Sequence, residues 1–200
     1  MTTFVYGYDP ICGWCYGAAP AVRAVAELLP VRVVMAGLVV GPRVGPSANM
    51  EDYIISASVR LEAVTGRKPS AAFFDWLRKD TSIAASAPPA VAVHAVMQHA
   101  PDNAAAFAHA LTETHYRDGL DPNDPDAYSE LLAAFAPDVN LPDIHDPDLA
   151  QAAFAEGRRI GLRSFPTFYL EQGNRLQELP TLYDPSALVD YVSSQIPASA

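Results

Sequence analysis

The chain has 200 residues, of which 50% are apolar and 18% charged, and its formal net charge is −10. This length predicts one hydrophobic core with room for an inserted subdomain, and such a core needs no disulfide for stability. The acidic balance argues against nucleic-acid partners and anionic membranes, because both need clustered Lys and Arg. The longest apolar run, VVMAGLVV, is too short to cross a bilayer, and no secretory leader is visible, so we expect no membrane contact and a cytoplasmic location.

The beginning of the chain is predicted to form a strand, a helix and a second strand. TFVYGY (residues 3–8) is rich in β-forming residues, and VRVVMAGL (31–38) is the Val-rich run expected of a strand buried on both faces. We therefore expect both strands at the centre of a sheet. Apolar residues at helical spacing predict a helix over residues 13–29 between them.

The segment from about residue 47 to 160 is predicted to be almost wholly helical. A helical pattern over residues 49–65 stops at Gly66. Further helix starts are marked by a capping residue or a proline before an apolar stripe, at Ser70, Pro88–Pro89, Asp102, Asp124 and Asp146. Strand character returns in PTFYLEQGNRLQELP, where EQGN predicts a hairpin turn, and Asp184-Pro185 opens a last helix over 186–196. The predicted order is β-α-β, helices, β-β-α.

The two cysteines of the chain, Cys12 and Cys15, lie three positions apart in DPICGWCYGAAP, at the predicted start of the first helix. Three interpretations compete: a redox couple, half of a metal site, and a buried structural pair. In a first helical turn, Cα atoms at i and i+3 lie about 5 Å apart, inside the roughly 4.4–6.8 Å window of a disulfide. Unpaired amides at a helix N-terminus also favour a thiolate. We therefore predict that Cys12 is the nucleophile and that the less accessible Cys15 is the resolving thiol.

The two other interpretations explain the sequence less well. A zinc site needs about four ligands, and the chain has no second cysteine pair and no typical histidine spacing, so we predict no metal. A buried structural pair does not explain the position at a helix start. No catalytic role is assigned to the five histidines, which are His94, His99, His109, His115 and His145.

Two other features near the cysteines leave alternatives open. Asp9 could accept a proton locally or could set the turn before Pro10, and the second interpretation is favoured. Trp14 could form an apolar rim for a peptide or a small thiol, together with neighbouring tyrosines, or these aromatic residues could belong to the core. The tyrosines in question are Tyr6, Tyr8 and Tyr16.

Beyond the helical segment, GLRSFPTFYL sets Pro166 at the start of the third strand, where a missing N–H is tolerated and a cis bond is plausible. The chain now resembles an α/β protein of the thioredoxin fold with a large all-helical insertion, and specifically the DsbA-like thiol-disulfide oxidoreductases. In that family a Cys-x-x-Cys begins the first helix, and a proline five residues after the second cysteine kinks the helix. A cis-proline loop faces the dithiol. The matching residues here are Cys12, Cys15, Pro20 and Phe165-Pro166.

The resemblance implies a discontinuous thioredoxin-like domain, residues 1–46 and 161–200, with a helical subdomain over 47–160. It implies that the backbone of Phe165 pairs with an incoming peptide or thiol, while Pro166 keeps the loop close to the dithiol. No cofactor is expected, although glutathione is possible as reductant or ligand, and relatives of this architecture include homodimers. DPICGWCYG and LTETHYRDGLDPNDPDAYSELLAAF look most like the cytoplasmic FrnE-type branch.

These features predict an enzyme that exchanges electrons with protein or small-molecule disulfides, as a protein-disulfide oxidoreductase or isomerase, through Cys12 and Cys15. The enzyme alternative is a glutathione-dependent transferase or isomerase, of the kappa-class or hydroxychromene carboxylate isomerase type. Those related proteins use a serine where Cys12 stands and have no resolving thiol, so this chain departs from them. The second alternative is a non-catalytic binding module in which the helical segment recognises a partner.

Overall fold

The computed structural model describes residues 2–196, in which the elements follow the predicted order except for two short strands, Gly45–Pro46 and Ile83–Ala84, that pair with each other and were not predicted. The strands are β1 (Thr2–Tyr8), β2 (Val31–Met35), β3 (Gly45–Pro46), β4 (Ile83–Ala84), β5 (Thr167–Gln172) and β6 (Arg175–Leu179). The helices are α1 (Gly13–Ala26), α2 (Glu51–Thr65), α3 (Ala71–Arg78), α4 (Ala87–His99), α5 (Ala104–Asp118), α6 (Ser129–Phe135), α7 (Pro147–Arg159) and α8 (Pro185–Gln195). Within the described residues, no helix is both long and apolar enough to cross a membrane.

The central sheet has four strands in the order β2-β1-β5-β6. β1 runs parallel to β2 and antiparallel to β5, and β6 is antiparallel to β5 across the predicted hairpin. In the β1–β5 register, Gly7 faces Thr167. Because the two strands run in opposite directions, the end of β1 lies beside the start of β5, and the two sequence motifs meet there.

The prediction that β2 lies at the sheet centre is wrong, because β2 is an edge strand. The strand also ends at Met35 instead of residue 38. Its burial on both faces is nevertheless real: Val33 and Met35 belong to the main core, and Val34 belongs to a small cluster on the other face. An apolar run in the sequence indicates that both faces of a strand are covered, but it does not indicate how many strands lie beside it. Here α5 and α7 pack on β2, although β2 has a neighbouring strand on one side only.

The main core continues from the sheet into the helical insertion. It contains apolar residues of β1, α1, α4, α5, α7 and α8, with Phe4, Val22, Val93, Phe107 and Leu188 almost completely buried. A second cluster joins α1 to α2, α3 and α5. The predicted domain division, 1–46 with 161–200 against 47–160, stays a prediction, and Met1 and residues 197–200 lie outside the described residues.

Most predicted helix starts carry the expected cap. Side-chain oxygens of the predicted capping residues accept backbone amides at the starts of α3, α7 and α8 and of a short 3-10 turn before α6; these residues are Ser70, Asp146, Asp184 and Asp124. The prediction at Asp102 is wrong, because this residue lies in a 3-10 turn and α5 begins at Ala104 without a side-chain cap. The first helix ends at Ala26, earlier than predicted.

The packing of α2 differs from what its helical spacing indicates. Leu61 is its one buried residue among those described, whereas Tyr53 is 60% exposed and Val64 58% exposed. Leu61 and Ile54 pack in the second cluster, but a cavity also borders the helix, and apolar side chains such as Val64 are left exposed.

Gly157 marks the place where α7 crosses β2, and a methyl group there would overlap the backbone carbonyl of Met35. Alanine normally stabilises a helix by about 1 kcal/mol relative to glycine. Overpacking against a rigid backbone costs roughly 1–3 kcal/mol. We expect Gly157→Ala to lower the free energy of unfolding, measured with urea, by up to about 2 kcal/mol after both effects are counted.

The matched control for this substitution is Gly45→Ala, because nothing lies within 4 Å of a methyl group at Gly45. We expect the control to stay within about 0.5 kcal/mol of the wild type. Equal losses in the two variants would contradict the close approach of α7 to β2.

Candidate active site

Cys12 is the N-cap residue of α1, with φ −90° and ψ 115°, and Cys15 lies in the first turn. The amide of Cys12 donates to the carbonyl of Asp9 (3.2 Å), and the carbonyl of Cys12 accepts the amide of Tyr16 (3.0 Å). Both cysteines are free thiols. The helix therefore begins where the sequence predicts, and the two sulfur-bearing residues are one turn apart.

Both cysteines are nearly buried, at 3% exposure for Cys12 and 1% for Cys15. The predicted difference in accessibility is therefore small. Burial raises the pKa of the Cys15 thiol well above its usual value, and the adjacent Cys12 side chain raises it further. Cys15 is therefore a protonated thiol at neutral pH while the pair is reduced.

The loop before β5 lies against Cys12. The Cys12 sulfur is 3.5 Å from the carbonyl oxygen of Phe165, within range of a hydrogen bond donated by the thiol. The Phe165-Pro166 peptide bond is cis. The hydroxyl of Thr167 donates to the carbonyl of Ser164 (2.7 Å), which ties together the two sides of the turn. The structure thus brings together residues that lie about 150 positions apart in the chain.

Asp9 is completely buried beneath this turn. Its carboxylate accepts the amide of Ile11 (3.1 Å), as expected for a turn before Pro10, and also the amide of Leu38 (2.7 Å), which the sequence did not indicate. Burial raises the pKa of Asp9, and the hydrogen bonds from Leu38, Ser86 and Ile11 partly oppose this effect. Asp9 therefore joins the start of α1 to the segment that follows β2.

The four aromatic residues near the cysteines differ in how deeply the structure buries them. Tyr6, Tyr8 and Tyr16 are buried, so they belong to the core and form no rim. Trp14 is only partly buried, and its ring packs against Tyr183 with the centroids 5.6 Å apart. Of these four residues, only Trp14 keeps part of its side chain exposed.

Sequence reasoning missed Tyr116, which reaches the site from α5. Its hydroxyl donates to the carbonyl of Ile11 (2.7 Å), the residue before Cys12. Its ring is stacked between Tyr16 (5.0 Å) and Phe73 (4.7 Å). No signal in the sequence could have identified this contact, since it joins residues 105 positions apart.

The buried histidines carry no visible chemistry. Burial lowers the pKa of both His109 and His115 to about 4, so both are neutral at pH 7. A ring nitrogen of His115 lies 2.8 Å from the carbonyl oxygen of Leu120. Within residues 2–196, no group of three or more His, Cys, Asp or Glu side chains is placed to hold a metal ion.

The chain resembles solved structures over almost its whole length. A cytosolic disulfide reductase, DsbM from Pseudomonas aeruginosa, is 30% identical, with a TM-score of 0.82 over 96% of this chain and 98% of that chain. The same protein with glutathione gives a TM-score of 0.80. A candidate protein disulfide isomerase from Nitrosomonas europaea is 20% identical, with a TM-score of 0.74 over 96% of both chains, and supports the fold. Scans of family models and of curated proteins gave no match.

The fold and the dithiol define an enzyme of the thioredoxin-fold class with a helical insertion, as predicted. The chain belongs to the DsbA-like family of thiol-disulfide oxidoreductases. It exchanges electrons with disulfides through the Cys12-x-x-Cys15 dithiol, which confirms the predicted function.

The Tyr116–Ile11 hydrogen bond can be tested with Tyr116→Phe, which removes the hydroxyl and keeps the stacked ring. Losing one such bond costs about 1 kcal/mol, which corresponds to a factor of about five. We expect an unfolding free energy lower by about 1 kcal/mol. The stopped-flow rate of Cys12 with a disulfide should fall by at most about five-fold, the factor reached when all of that energy serves to position Cys12.

The control for this test is Tyr16→Phe in the same stack, whose hydroxyl donates to the carbonyl of Lys68 (3.4 Å) and not to the turn at Cys12. If both variants slow the reaction equally, aromatic packing and not the hydrogen bond to Ile11 supports the site.

Proposed function

We propose that the protein is a cytoplasmic disulfide reductase in which Cys12 attacks the substrate disulfide and Cys15 releases the product. The observation that carries this proposal is the position of the Cys12 sulfur, at the N-cap of α1 and 3.5 Å from the carbonyl oxygen of Phe165. The adjacent backbone offers an extended edge to a substrate, so a disulfide bound there lies beside the Cys12 sulfur.

In the proposed reaction, the Cys12 thiolate attacks one sulfur of the substrate disulfide, forms a mixed disulfide and releases the other half as a thiolate. Cys15 then gives up its proton and attacks the Cys12 sulfur. This step forms the Cys12–Cys15 disulfide and releases the second half of the substrate as a thiol. Two electrons have passed to the substrate, and the dithiol itself carries them, so no cofactor is needed.

Trp14, Phe165 and Pro166 are proposed to bind the substrate. Phe165 is partly exposed and the Pro166 side chain is buried, so the loop presents its backbone beside the sulfur. A substrate chain that pairs with the carbonyl of Phe165 would bring its own disulfide to Cys12. The partly exposed ring of Trp14 would cover the apolar part of the substrate.

The surroundings of Cys12 favour reduction of substrates over oxidation. Gly13 and Trp14, the two residues between the cysteines, carry no charge. Among the described residues, no cationic side chain lines the cavity at Cys12, and burial keeps His115 neutral. A dithiol becomes a strong oxidant when its reduced form is stabilised, and no charged partner stabilises it in this cavity.

Two glutathione molecules are proposed to restore the dithiol, and they become glutathione disulfide in the process. Support comes from the structure of the DsbM reductase with glutathione and from the description of that protein as cytosolic. A reducing cytoplasm would supply this thiol. The FrnE-type branch, a homodimer, and the absence of nucleic-acid and membrane partners stay predictions.

Replacing the resolving thiol distinguishes this mechanism from the glutathione-dependent transferase or isomerase. We expect Cys15→Ser to accumulate a mixed disulfide at Cys12, detected by mass spectrometry, and to lose at least about a hundred-fold in turnover, because the second displacement cannot occur. Cys12→Ser, the control, should form no adduct. Full turnover by Cys15→Ser would favour the transferase, which needs only one nucleophile.

The reduction potential tests the direction of electron flow. We expect a glutathione redox titration to place the couple nearer to about −270 mV, the value of a reductant, than to about −120 mV, the value of a strong oxidant. A reduction potential near about −120 mV would overturn the reductase assignment. A dithiol that cannot be oxidised reversibly would instead support a non-catalytic binding module.

A further inference from the structure

Helix α2 carries a large share of the exposed apolar side chains of the molecule. Seven large apolar side chains are exposed among the described residues, and four of them lie on this one helix of 15 residues. The four are Tyr53, Ile55, Val59 and Val64. Single exposed apolar residues are normal on a monomer, but a group of them on one element indicates an interaction surface.

The two most exposed of these side chains lie on the outer face of the helix. Val59 is 67% exposed and Tyr53 is 60% exposed. An α-helix turns by about 100° per residue, so these two residues lie about 60° to either side of Ser56, which is itself exposed. Leu61, the buried residue of this helix, lies on the other side.

The charged side chains of α2 divide into two that are paired within the chain and two that are not. Glu51 and Glu62 both form salt bridges to basic residues outside the helix. Within residues 2–196, neither Asp52 nor Arg60 forms a salt bridge. Both are exposed, so the outer face presents one unpaired anion and one unpaired cation.

The five residues of this outer face form a self-complementary pattern centred on Ser56. Asp52 lies four positions before Ser56 and Arg60 four positions after it, whereas Tyr53 lies three before and Val59 three after. If two such helices pack antiparallel about a two-fold axis at Ser56, positions equally far on either side come to the same height. Asp52 and Tyr53 of one copy then meet Val59 and Arg60 of the other.

We propose that the outer face of α2 is a homodimer interface, in which the helix packs antiparallel against α2 of a second copy of this chain. Two-fold symmetry supplies each contact twice, so two Asp52–Arg60 ion pairs and two Tyr53–Val59 apolar contacts form together. The small side chain of Ser56 lets the helices approach at the axis. This interface does not depend on the reductase function proposed above.

A second copy fits this face better than an unrelated partner, because self-complementarity is required only where the same surface meets itself. Each copy carries a net charge of −10, so two copies repel each other in most orientations. The arrangement about Ser56 is favoured because it sets opposite charges against each other at both ends of the contact.

The interface is small, since one helix from each copy forms it. Stable interfaces bury at least about 1,200 Å², so we expect a weak dimer with a Kd between about 1 and 100 µM. Sedimentation equilibrium of the full chain over this range of concentrations measures the Kd.

Charge reversal tests the contact residues. Asp52→Arg sets two cations against each other at each end of the interface, and Arg60→Asp sets two anions against each other. We expect each variant alone to raise the dimer Kd at least about ten-fold. An equimolar mixture of the two variants regains opposite charges at both ends, so it should form a heterodimer with a Kd within about three-fold of the wild-type value.

The matched control is Asp190→Arg, which makes the same change of charge at an exposed position of α8. We expect this control to keep the wild-type Kd within about two-fold. Circular dichroism of each variant shows that it is folded before its association is measured.

Three results would overturn the proposal: a wild type that stays monomeric up to about 1 mM, single variants that associate as tightly as the wild type, or a mixture that does not associate. A monomeric wild type whose reduction of unfolded lysozyme with intact disulfides is slowed by both charge reversals would also overturn it, because the face would then bind protein substrates. Sedimentation needs no substrate, so a chain without reductase activity would leave this test unaffected.

Discussion

The antiparallel pairing of β1 with β5 is the constraint on which the site depends. It joins residues about 160 positions apart, with Gly7 facing Thr167, and so sets the end of one strand beside the start of the other. Cys12 follows the first strand, and Phe165 precedes the second. Their 3.5 Å contact is thus a consequence of sheet register, and a shifted register would separate the sulfur from the backbone that borders it.

The segment after β2 and the helical insertion add a second level of support by holding the three residues before Cys12. The carboxylate of Asp9 accepts the amide of Leu38, beyond β2. The hydroxyl of Thr112 donates to the carbonyl of Pro10 (3.3 Å), and Tyr116, one turn further along α5, donates to the carbonyl of Ile11. These are ordinary hydrogen bonds, but together they leave the turn at Cys12 little freedom in a site where both sulfurs must meet.

The insertion also gives the site its chemical character. By covering Cys12 with α2 and α3, it surrounds the sulfur with aromatic and aliphatic side chains, although the chain as a whole carries a net charge of −10. The charges in this region are paired: Arg67 forms a salt bridge with Glu113 and lies over the ring of Tyr16, 3.9 Å from its centroid. Apolar surroundings beside a nucleophile favour recognition by shape over recognition by charge.

By itself, the sequence determined the features that depend on local spacing: the order of the elements, the caps at Ser70 and Asp146, the hairpin, and the paired cysteines at a helix start. These follow from backbone geometry over a few residues. Tertiary structure alone decided that β2 is an edge strand, that α2 covers a cavity, and that Tyr116 reaches Ile11. Such contacts join distant segments, and their formation depends on how helices and sheet pack, which one-dimensional periodicity does not encode.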